Sequence, residues 1–114
     1  MKLTEIQKLL HCEVLTGEDR IDIDITMCLS SDMMSDVLAF AEPGALLITG
    51  LTNSQSVRTA DIADASAILY IRGKKPDEGA LHLAKTMDLP VLATDWGMFE
   101  VSGVLHREGL KGIC

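Results

Sequence analysis

The chain has 114 residues, a length that fits one domain and leaves little room for a second. Its net charge of −7 disfavours nucleic acid and anionic membrane surfaces as partners, because both attract basic proteins. Apolar residues make up 47% and charged residues 24%, a globular balance, and no apolar run approaches the ~20 residues of a bilayer span.

The chain starts at Met1 on an amphipathic pattern, not on a signal peptide. Leu3, Ile6, Leu9 and Leu10 share one helical face, and Thr4 with Gln7 has capping-box spacing. Cys12 to Leu15 reads as a short strand, and Gly17-Glu18-Asp19 as a turn. Ile21, Ile23 and Ile25 then alternate with Asp22 and Asp24, the period of a half-exposed extended segment. This runs into Met27-Cys28-Leu29 and stops at Ser30-Ser31-Asp32, which reads as a helix N-cap. Behind it Met34, Val37, Leu38 and Ala41 occupy i, i+3, i+4 and i+7, a helix packed on one side and closed by Pro43-Gly44.

Ala45 to Thr49 is a continuous apolar run of strand length. Gly50 to Asn53 is a turn, and Asn53 caps the helix carrying Val57, Ala60 and Ala63. Ala67 to Ile71 is a second buried strand, followed by the loop from Arg72 to Pro76. Ala80, Leu83, Ala84 and Met87 repeat the helical spacing. Pro90 precedes a strand over Val91 to Ala93, and Thr94-Asp95 caps a last helix with Met98, Val101 and Leu105 inward. The fold class is therefore α/β: one domain over 1–114, with a mainly parallel sheet flanked by helices and joined by right-handed crossovers. The segment before residue 27 is expected to add an antiparallel edge strand or a dimer contact.

In open parallel sheets ligands bind beyond the carboxyl ends of the strands. Four loops are expected to converge there: Ser30-Ser31-Asp32, Thr49-Gly50-Leu51-Thr52-Asn53, Arg72-Gly73-Lys74 and Thr94-Asp95. Arg72, Lys74 and Lys75 form the densest positive run, so a small anion or a nucleotide is the ligand class those loops suit. The competing account is ordinary turn and capping chemistry, with Arg72 and Lys74 paired to carboxylates such as Asp77 and Glu78.

Catalytic signatures are missing: there is no GxxxxGK[ST], GxGxxG, HExxH or GxSxG. His11, His82 and His106 are scattered and read as solvated surface residues. Asp61 and Asp64 share a helical face as solvated carboxylates, and Trp96 reads as a packing anchor. Cys12, Cys28 and Cys114 lack any ligand or disulfide spacing, so reduced thiols, no metal and no cofactor are expected, in the cytoplasm.

The motif order resembles the DRTGG domain family over nearly the whole chain. The stretches that carry the resemblance are Glu13-Val14-Leu15-Thr16-Gly17, Ser31-Asp32-Met33-Met34-Ser35-Asp36-Val37-Leu38, Leu47-Ile48-Thr49-Gly50, Val57-Arg58-Thr59-Ala60 and Arg72-Gly73-Lys74-Lys75-Pro76-Asp77. The eponymous five-letter signature is absent. A standalone chain of this size is similar to the small members encoded near iron hydrogenases. Related domains occur in CBS-domain pyrophosphatases, in phosphotransacetylases and at the N-terminus of HPr kinase/phosphorylase. The resemblance implies a non-catalytic regulatory domain, often dimeric. The leading expectation is thus a ligand-sensing module that is not an enzyme and works as a homodimer or with a partner enzyme. The alternatives are a ligand-free dimerisation scaffold and a small enzyme acting on a phosphorylated substrate.

Overall fold

The computed structural model describes residues 1–113. Its elements run α1 (Leu3–Leu9), β1 (Glu13–Thr16), a 3-10 turn (Glu18–Arg20), β2 (Met27–Ser30), α2 (Met34–Phe40), β3 (Leu46–Thr49), α3 (Ser54–Ile62), β4 (Ala67–Tyr70), α4 (Glu78–Thr86), β5 (Val91–Ala93), α5 (Met98–Arg107) and β6 (Lys111–Gly112). The six strands form one sheet in the order β1-β5-β4-β3-β2-β6. β2 to β5 run parallel, β1 is antiparallel to β5, and β6 is parallel to β2. The antiparallel edge expected from the N-terminal segment is β1.

Strand alternation sorts the core into two layers. Leu46, Ile48, Ala67, Leu69, Ile71 and Leu92 face α1 and α5. Leu47, Ile68, Tyr70, Val91 and Ala93 face α2, α3 and α4. Three successive crossovers on one face are what uniform handedness requires when β2 to β5 are sequential neighbours. All four residues of β3 and of β4 are buried, which is why both read as unbroken apolar runs.

Several local expectations are corrected. α1 is capped at Lys2, whose amide donates to Glu5 Oε1 at 2.9 Å, so the Thr4–Gln7 box is not used. Residues 21–25 form no strand. Only an isolated bridge joins Asp24 to Lys2, yet the alternation is real, with Ile25 buried and Asp22 and Asp24 exposed. Leu38 is 52% exposed, because α2 lies toward the β2 flank of its layer and buries only Met34 and Val37. That helix already ends at Phe40, ahead of Pro43-Gly44. Asp64 lies beyond α3, so it does not share a helical face with Asp61. β6 carries no apolar signal, since Lys111 and Gly112 are both exposed.

Cys12 and Cys28 are free thiols, both pushed up to about 12 by burial, which removes thiolate character at neutral pH. Cys114 lies outside the described residues.

Four helices end by one device. The residue after the C-cap turns left-handed, and the next amide reaches back into the last turn. After α3, Asp64 donates to the Asp61 carbonyl at 3.1 Å and Ala65 to Ala60 at 2.9 Å. His11, Asp88 and Gly109 repeat the pattern after α1, α4 and α5. Only one of the four is glycine. Asp64, at φ 57°, sits where an L side chain is disfavoured. Asp64→Gly should therefore raise stability by about 0.5–1 kcal/mol, because the left-handed cost removed slightly exceeds glycine's added chain entropy. Chemical denaturation checks this, and an unchanged or lower midpoint contradicts it.

Candidate functional site

The carboxyl ends of β2, β3, β4 and β5 all open on one edge of the sheet. Here Asp32 joins three loops. Its Oδ1 accepts from the Gly50 amide at 2.6 Å and from Thr49 Oγ1 at 3.2 Å, and its Oδ2 accepts from Arg72 Nη1 at 3.2 Å. A Cβ at Gly50 would collide with the Arg72 guanidinium, which would have to swing away from Asp32 to admit it. Asp32 is therefore a cross-loop acceptor and not the cap of α2. The N-cap is Met33, and Ser31 Oγ accepts from the Met33 amide at 3.0 Å in a local turn.

The Gly50 N–H is the main reason the Asp32 carboxyl lies below its usual range. The Arg72 and Thr49 bonds and the Arg72 charge add to it, against a desolvation penalty. A depressed folded-state value contributes stability that is present above the unfolded carboxylate range and is lost as pH falls from that range through the lower folded-state value. The acid limb of a pH–stability curve should thus flatten in Asp32→Asn. An identical limb in the variant would mean the carboxylate adds no pH-dependent stability.

The loop after β4 turns sharply. Arg72 and Gly73 both have positive φ, 63° and 71°, and the Lys74 amide donates to the Ile71 carbonyl at 3.2 Å. The Arg72 amide donates to Trp96 O at 2.8 Å and that of Gly73 to Thr94 O at 3.0 Å. The amides of Arg72 and Gly73 are thus taken by the loop after β5 and that of Lys74 by Ile71, so the side chains of Arg72 and Lys74 are the candidate groups this loop offers. Arg72 pairs with Asp32, not with Asp77 or Glu78. Lys74 is exposed and has no ion pair among the described residues.

Other expected site residues divide by what already holds them. Thr49 accepts from the Leu51 amide at 3.1 Å. Thr94 does not cap α5, whose N-cap is Gly97. Its buried hydroxyl donates to Leu10 O at 2.8 Å and accepts from the Trp96 amide at 3.3 Å, tying β5 to the end of α1. Asn53 caps α3, its Oδ1 accepting from Ser56 N at 3.3 Å, as expected. Thr52 O accepts from the Asp77 amide at 3.3 Å. Asp95 is exposed, near enough to Gly73 that a Cβ there would come within 3.2 Å of its carboxylate.

α4 and α5 leave β4 and β5 on opposite faces, the arrangement that opens a crevice between adjacent strands. That crevice is about 270 Å³, lined by His11, Glu13, Gly73, Lys75, Thr94 and Asp95. Lys75 Nζ pairs with Glu13 Oε2 at 3.2 Å across it. His11 stands beside Trp96, ring centroids 5.8 Å apart. Sequence reasoning misses His11 and Glu13 because they reach the site only through the antiparallel pairing that sets Glu13 against Ala93. On the other side of Arg72 an open trough of about 640 Å³ runs past Ser30, Gly97 and Phe99.

No helix among the described residues is long and apolar enough to cross a membrane. The DRTGG domain family model matches residues 5–107. The chain is similar in structure to the CBS and DRTGG domains of the regulatory region of a Clostridium perfringens pyrophosphatase, solved with its activator diadenosine tetraphosphate. The TM-score is 0.70 at 19% identity, covering 90% of this chain and 44% of that one. This chain therefore spans less than half of that region. No curated relative matches. The family match covers most of the sequence, and the chain belongs to the DRTGG domain family.

Proposed function

We propose that this DRTGG domain is a non-enzymatic regulatory module that senses a small anion, a nucleotide first among them, and acts as a homodimer or beside a partner enzyme. The observation that carries the reading is the exposed Arg72, oriented by Asp32 at the strand ends next to Lys74, which has no ion pair among the described residues. A guanidinium held by one carboxylate keeps further N–H donors for a phosphate, and the adjacent ammonium adds a mobile charge. The protein is acidic overall, so an anion needs such a local positive point. Ser31, Thr52 and Asn53 stand on neighbouring loops as further polar groups. The pyrophosphatase region that shares the fold is activated by a nucleotide, which supports nucleotides as the first class to try.

A thermal-shift screen against mono-, di- and dinucleotides and phosphorylated metabolites tests the proposal. A ligand that binds only the folded state raises its stability by RT ln(1 + [L]/Kd), so a dose-dependent rise is expected for at least one nucleotide. A flat response across the panel at millimolar concentration would count against ligand sensing. Turnover of any of those compounds would count against the non-enzymatic part.

A further inference from the structure

The two faces of the sheet are covered unequally. Three helices pack on one face, and α1 and α5 on the other. Beside α5, over β2 and β6, this leaves an apolar trough of about 570 Å³, bounded by Cys28, Ile48, Leu105, Leu110 and Ile113. Phe99 stands at its lip, 95% exposed, the most exposed large apolar side chain among the described residues. Gly103 also lines the trough, in the middle of α5, and a Cβ there would meet nothing within 4 Å. An exposed mid-helix glycine weakens a helix relative to alanine, and nothing among the described residues requires it. A missing Cβ on an open helix face is explained if another helix crosses there.

We propose that α5 is the two-fold interface of a homodimer, crossing its copy at Gly103 and seating Phe99 in the partner's trough. This rests on the homodimer reading above and names its surface. Charge selects a second copy as the occupant. The first turn of α5 carries Glu100 and its last turn His106 and Arg107. An antiparallel pairing centred on Gly103 sets residue 99 against 107 and 100 against 106, so the first turn of each copy, with Glu100, lies along the last turn of the other, with His106 and Arg107. A two-fold interface needs one patch that is both knob and hole, and here Phe99 and the trough adjoin. Leu38, Phe40 and Ile62, exposed apolar residues on the other layer, line neither this trough nor the cavities beside Arg72 and His11.

Light scattering and sedimentation of the full chain test this, with circular dichroism to confirm folding. Phe99→Asp should leave the fold intact, because the side chain is 95% exposed, and weaken dimerisation at least about 100-fold, as loss of a central aromatic anchor does. Ile62→Asp, on the opposite layer, should leave the dimer unchanged. Glu100→Arg and His106→Glu, which face each other in that pairing, should each weaken it, and the two together should restore it. A wild-type dimer that survives Phe99→Asp, or one dissociated by Ile62→Asp, overturns the assignment of α5 and leaves the homodimer reading standing. A wild-type monomer at hundreds of micromolar overturns both.

Discussion

Leu69→Ala should cost about 2–5 kcal/mol, the range for emptying a fully buried leucine site. Leu69 lies in the central strand β4 with no exposed surface, in the layer facing α1 and α5. Its neighbours Leu46, Ile48 and Leu92 come from β3 and β5, held by backbone ladders on both sides, so the site has little freedom to collapse. A domain of this size has roughly 5–15 kcal/mol in total, and the melting point should fall by about 10–20 °C. Leu38→Ala is the matched control. Both residues sit in apolar patterns, but Leu38 is 52% exposed and its truncation should stay within about 0.5 kcal/mol. Equal losses for the two variants would mean that the burial assigned to α2 and β4 is wrong.

That contrast marks where the sequence is legible. β3 and β4 are buried on both faces, so their apolar runs stand out without any knowledge of their neighbours. The edge elements are set by what lies beside them. Lys111 and Gly112 form β6 because Met27 and Cys28 offer a free ladder edge, not through any preference of their own. Caps are the weaker inference. Asn53 behaves as the local rule predicts, but Ser31-Asp32 and Thr94-Asp95 do not. An Asp before a helix looks the same whether it bonds the next turn or a loop distant in sequence. The bond from Arg72 to Asp32 spans 40 residues and carries no local trace. Strand order alone places the four loops at one edge, and that placement holds. Which hydroxyls are already engaged, as with Thr94 on Leu10 O, depends on tertiary contacts that no spacing encodes.

The double change Arg72→Gly with Lys74→Ala should abolish nucleotide binding while leaving the unliganded protein nearly as stable. Each lost charge-assisted bond to a phosphate is worth about 1.5–3 kcal/mol, so together they predict an affinity loss on the order of 100-fold or more. Folding should scarcely respond. The Arg72–Asp32 pair is surface exposed, 43% and 48% for the two side chains, and such pairs contribute about 0–1 kcal/mol. Glycine at position 72 also relieves the left-handed backbone that arginine adopts at φ 63°, which offsets part of that loss. Asp32 keeps its bonds from Gly50 and Thr49, so the three loops remain joined. Lys75→Ala serves as the comparison, because Lys75 is already engaged by Glu13 in the separate crevice beside His11. Calorimetric titration with a nucleotide that shifts the wild-type melting point reads all three proteins. Binding lost in the double variant and kept in Lys75→Ala locates the anion at Arg72. Binding kept in the double variant and lost in Lys75→Ala moves the site to the crevice between β4 and β5, and Arg72 and Lys74 then have no part in holding the anion.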